Sequence, residues 1–101
     1  MEKFFWQRLA QLRSQKGVSA RDMSLSLGQS ESYINKIENG KALPSMQAFF
    51  YICDYLGISP RDFFDETNSD PVAIEALTKD LKGLSESQIA SVASIVKELK
   101  G

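Results

Sequence analysis

A chain of 101 residues is long enough for one domain with its own core, or for one small domain with an appendage. Its 43% hydrophobic content excludes a compositionally disordered protein, and its net charge of −1 sets it apart from indiscriminate polyanion binders, which are usually basic. One cysteine, Cys53, rules out an intramolecular disulfide, and without histidine no metal-ligand pattern forms, so neither metal nor cofactor is expected. The opening residues, Met1-Glu2-Lys3-Phe4-Phe5-Trp6-Gln7-Arg8, break to charge after three aromatics, unlike a secretion signal. No apolar run approaches the roughly 20 residues that span a bilayer, and a cytoplasmic location is expected. Charge is uneven: residues 1–65 hold eight Lys/Arg against seven Asp/Glu, and residues 66–101 hold four against six.

From about Phe4 to Gln15, Phe5, Leu9 and Leu12 recur at helical spacing, and Gly17 stops the helix. Phe4, Phe5 and Trp6 form an aromatic cluster suited to core packing. Ser19 then caps a short helix reaching about Leu27, with acidic Asp22 three residues on and Val18 and Met23 spaced for a hydrophobic staple. Gly28-Gln29 turns the chain. Ser30 reads as the N-cap of a third helix running to Glu38, in which Ile34 and Ile37 share one face and Glu31, Ser32, Asn35 and Lys36 lie elsewhere. Asn39-Gly40 ends it.

Ser45 caps a fourth helix, whose Met46, Phe49, Phe50, Cys53 and Leu56 predict a buried stripe up to Gly57. Ser59-Pro60-Arg61-Asp62 combines a cap, a proline at the first helical position and an acid, and opens a single turn carrying Phe63 and Phe64. Residues 65–69 read as a polar linker or long loop. Asp70-Pro71 opens a sixth helix with Ile74, Leu77 and Leu81 expected inward, and Gly83 breaks it. Ser85-Glu86-Ser87-Gln88 predicts a capping box for the last helix, where Ile89, Val92, Val96 and Leu99 repeat at 3-4-3 spacing. No segment alternates with period two, so the predicted fold is all-α.

Two short helices joined through Gly28 are the pattern of a helix-turn-helix. Residues 8 to 64 resemble the Cro/C1-type, or XRE-like, family of helix-turn-helix transcriptional regulators. The match is carried by Arg8-Leu9, Leu12-Arg13, Lys16-Gly17-Val18-Ser19, Leu27-Gly28, Ser30, Tyr33-Ile34-Asn35-Lys36-Ile37-Glu38-Asn39-Gly40, Pro44-Ser45 and Leu56-Gly57-Ile58-Ser59. The resemblance implies a five-helix, lambda-repressor-like DNA-binding domain over residues 1–66. The seam of the last helix either packs back on the core or, shared with the Ile74-Leu77-Leu81 face, forms a dimer interface. Because one short helix reads only a few base pairs, the C-terminal helical pair over 67–101 is expected to serve dimerisation. The resemblance also implies that the helix from Ser30 to Glu38 enters the major groove of double-stranded DNA, with Glu31, Ser32 and Lys36 at positions that reach base edges. Ser19, Tyr33, Asn39, Lys41 and Ser45 are the expected phosphate contacts, and Tyr33 is equally suited to covering the helix joint. Arg13 and Glu38 match positions that form a structural ion pair. One departure is Ala20, where many members carry a DNA-contacting glutamine; alanine has no donor to offer.

The expected function is therefore a cytoplasmic, nucleoid-associated transcriptional repressor, binding a palindromic operator as a homodimer through Ile89, Val92, Val96 and Leu99. A different class, a protein-interaction module such as an antitoxin or anti-repressor, uses the same scaffold. Enzyme chemistry has no foothold: the chain lacks histidine, a glycine-rich phosphate loop and metal spacing.

Overall fold

The computed structural model describes residues 1–101 as seven α-helices and no strand. These are α1 (Glu2–Lys16), α2 (Ala20–Ser26), α3 (Tyr33–Glu38), α4 (Met46–Leu56), α5 (Pro60–Phe63), α6 (Pro71–Leu81) and α7 (Glu86–Lys100). Local chemistry starts most of them. The hydroxyls of Ser19, Ser45 and Ser59 each accept the backbone N–H three residues on, as does the Asp70 carboxylate. At α7 the expected capping box is complete: Ser85 Oγ accepts from Gln88 N, and Gln88 Oε1 accepts from Ser85 N at 2.9 Å.

The core belongs to α1–α5. Phe5, Leu9 and Leu12 of α1 meet Met23, Ile34, Ile37, Phe49, Ile52, Cys53, Leu56, Ile58 and Phe63 in one buried cluster. Its aromatic end stacks in sequence, Phe5 lying 4.9 Å from Phe63 and Phe49 meeting Phe63 edge-on at 5.2 Å between centroids. The stripe of α4 differs from the one its spacing predicts. Phe49, Ile52, Cys53 and Leu56 are buried, whereas Met46 and Phe50 are exposed. Met46 sits a turn beyond the edge of the core, and Phe50 is rotated about 100° from Phe49 around the helix.

Segment 62–69 is tied down rather than loose. Buried Arg8 donates Nε–H to Phe63 O at 2.7 Å and its terminal nitrogens reach the carbonyls of Asp62, Asp65 and Asn68 and the amide oxygen of Gln11. Gln11 and Gln15, further along the same helix, both donate to Ser69 O. The guanidinium thus has no carboxylate partner. Its charge is solvated by carbonyl dipoles, two of them at the C-terminal end of α5, where a cation is favoured.

Beyond Ser69 the chain leaves the core. In α6 only Pro71 is buried and Val72 packs on the cluster; Ile74 and Leu77, expected inward, stand exposed. No residue of α7 is buried. The molecule is accordingly elongated, 49 × 25 × 22 Å, with a radius of gyration of 16.3 Å against about 13 Å for a compact domain of this length.

Candidate nucleic-acid interface

The α2–turn–α3 unit is built on one buried serine. Ser24 Oγ donates to Ala20 O at 2.7 Å inside α2 and accepts Ile34 N–H at 2.9 Å from α3. This hydroxyl ties the two helices together beside the packing of Met23 against Ile34 and Ile37 in the shared core, and the sequence pattern does not single it out. It also corrects the predicted start of α3. Ile34 N–H goes to Ser24 instead of closing an α-helical bond to Ser30, and Tyr33 N–H bonds Ser30 O across a turn. Helix α3 therefore begins at Tyr33 and has six residues; Ser32 holds the N-cap position without a side-chain cap bond, and Ser30 is not the cap.

At its other end α3 closes in a Schellman arrangement, with Gly40 N–H on Ile37 O and Lys41 N–H on Lys36 O. Gly40 has φ +74° and lies under the Trp6 ring, whose atoms come within 2.7 Å of where a β-carbon would stand. Glycine is thus required twice over, once by the backbone and once by the indole. Arg13 of α1 grips the same end, donating to both Glu38 carboxylate oxygens at 2.7 and 2.9 Å and to Val18 O. The expected structural ion pair is present, and the bond to Glu38 holds the Arg13 proton more tightly than usual.

Held between these anchors, α3 buries Ile34 and Ile37 completely and turns its polar residues outward. Glu31, Asn35 and Lys36 are exposed, and Ser32 is half-buried. Tyr33 is half-buried against the core cluster, and that burial raises its phenol pKa. The remaining predicted contacts lie at or beside element ends. Ser19 caps α2, Ser45 caps α4, Lys41 is exposed in the following loop, and the Asn39 amide donates to Asn35. Ile89, Val92, Val96 and Leu99 lie apart from this site, on α7.

The electrostatics of this face differ from the bare charge count. Arg8 and Arg13 are consumed by the fold, while Arg21, Lys36 and Lys41 remain exposed on α2, α3 and the loop after α3. Glu38 is neutralised by Arg13, and Glu31 lies 3.5 Å from the Arg21 guanidinium. Each acid of α3 and its leading turn therefore has a cation beside it, and Lys36 keeps its charge for another partner.

This geometry agrees with comparisons to known proteins. A family model described as a helix-turn-helix domain matches residues 7–69, well over half the chain. The chain belongs to that family, in its XRE-like form, and is a DNA-binding regulator of the helix-turn-helix class. It is similar to a protein of Sinorhizobium fredii (strain NBRC 101917 / NGR234) named "Uncharacterized HTH-type transcriptional regulator y4dJ", 25% identical over 71 residues that cover 70% of this chain and 92% of that protein. No solved structure matches. No helix is long and apolar enough to cross a membrane.

Proposed function

We propose that the protein is a transcriptional repressor that binds a palindromic operator as a homodimer, with α3 in the major groove of each half-site. The observation that carries this reading is the outward polar face of α3 on a helix locked from three sides, by Ser24, Arg13 and Trp6. A B-form major groove admits an α-helix and displays a distinct donor and acceptor pattern for each base pair. Lys36 donates to guanine acceptors, and Glu31 and Ser32 reach adjacent base edges. Ser19, Tyr33, Asn39, Lys41 and Ser45 contact phosphates and set the register without reading sequence.

One six-residue helix covers only a few base pairs, so affinity requires a second copy. The exposed apolar residues Ile89, Val96 and Leu99, with Val92 between them, supply a self-complementary face for it. On this reading residues 1–66 form the DNA-binding domain, 67–101 form the dimerisation pair, and the protein works in the cytoplasm on the nucleoid.

Fluorescence anisotropy with a selected duplex tests the assignment. Lys36→Ala is expected to weaken specific binding by about 1–3 kcal/mol with no change in thermal stability. Affinity should fall steeply with added salt as phosphate counterions are exchanged. Unchanged affinity and sequence preference in Lys36→Ala would remove it from the reading residues, and salt-insensitive association would point to a protein partner instead.

A further inference from the structure

Glu31 poses a physical problem on a surface that meets DNA, because an unaccompanied carboxylate is repelled by phosphates. The structure supplies an answer from α2. The Arg21 terminal nitrogen stands 3.5 Å from Glu31 Oε2, joining the first turn of α2 to the turn that leads into α3. Both side chains are about two-thirds exposed, 69% and 66%. An ion pair that wet contributes little to folding, so the fold does not require it. Its neighbour Ala20 carries no polar group, which leaves Arg21 as the side chain of this turn that can engage Glu31. Wherever Glu31 is presented, Arg21 is presented with it.

We propose that Arg21 and Glu31 form one coupled sequence-reading unit. Arg21 is the positioning residue: it holds one oxygen of the Glu31 carboxylate, cancels its charge toward the phosphates and leaves the other oxygen to accept from a base amino group. A carboxylate has lone pairs enough for both bonds. The amino donors offered in the major groove are those of cytosine and adenine, and the unit prefers cytosine, whose amino group is the one that suits a carboxylate acceptor. Exclusion of water in the groove strengthens a pair that is weak in the free protein. The proposal rests on the reading of this chain as a major-groove binder.

The test compares full-length wild type, Arg21→Ala, Glu31→Ala and the double variant in selection from a random duplex pool, with affinities for the wild-type site and melting curves for each. Unchanged melting temperatures establish that the fold is intact. The expected result is that each single variant loses preference at the same base pair and about 10-fold in affinity, while the double variant loses no more than the weaker single variant. Multiplying losses overturn the proposal. So does an Arg21→Ala variant that keeps the base preference and merely has a shallower salt dependence, which marks a phosphate anchor. If wild type selects a site and the losses multiply, only the coupled unit fails; if wild type selects no sequence, the major-groove reading fails with it.

Discussion

Arg8 shows how far a residue's role can lie from its pattern. In the helical register of α1 it shares the stripe of Phe5, Leu9 and Leu12, and it is 4% exposed and donates to four backbone carbonyls. No side-chain pattern records where carbonyls will point, so this clamp is not legible in the sequence. Arg13–Glu38 was legible, because two complementary charges stand at positions the family resemblance pairs. Arg8→Met should destabilise the protein by about 3 kcal/mol or more, because several buried acceptors lose their donor together. Arg13→Met should cost less, about 1–3 kcal/mol, because it strands chiefly one acceptor group, the Glu38 carboxylate, whose side chain keeps 11% of its surface exposed. Urea denaturation of the two variants checks the order, and an equal or reversed ranking contradicts it. Cys53 provides a pH signature. Burial, with the nearby Asp54 charge adding to it, pushes its thiol up to about 12. The unfolded thiol ionises first, near its ordinary value of about 8.5, so this contribution to stability is intact below that pH and is lost progressively as pH rises toward 12. At pH 8 a thiol reagent should therefore label Cys53 only at the rate of unfolding; immediate labelling of native protein contradicts the assignment.

At the scale of elements, caps and breaks were the most legible features. Ser19, Ser45, Ser59, Asp70 and Ser85 begin helices as their spacing predicts, because an N-cap is a local interaction complete within three residues. The start of α3 was not legible: Ser30 satisfies the local rule, but Tyr33 N–H bonds the Ser30 carbonyl across a turn and Ile34 N–H donates to Ser24 Oγ of α2. The apolar faces of α6 and α7 were visible as periodicity, though periodicity does not say what covers a face. Ile74 and Leu77 are exposed at 52% each, and Leu99 at 82%, with Ile95 widening the α7 face beyond the predicted seam. Two heptads do not sustain an independent coiled coil, so both helices of the arm must contribute to any dimer. Val96→Asp should convert a dimer into a monomer at tens of micromolar while leaving the melting of the α1–α5 core unchanged. Sedimentation equilibrium checks this, and a wild-type protein that is monomeric at that concentration contradicts dimerisation through α7.

Across the whole molecule, the two parts are built on different economies of burial. The α1–α5 block closes its own core around Leu9, Leu12, Ile52 and Phe63, and seats α3 on it through Ile34 and Ile37. The C-terminal arm spends its apolar residues on its surface and lengthens the molecule to 49 Å. On the proposed function, an α3 seated on the core and an arm with exposed apolar residues suit a two-fold assembly in which arms meet and two α3 helices face successive major grooves. Selection of bound duplexes from a random double-stranded pool by the full-length protein tests that account most directly. It predicts an enriched inverted repeat with half-site centres about one helical turn, 34–36 Å, or a multiple apart. Enrichment of an unpaired half-site would contradict the dimer, and a folded protein that enriches no sequence would contradict operator binding itself.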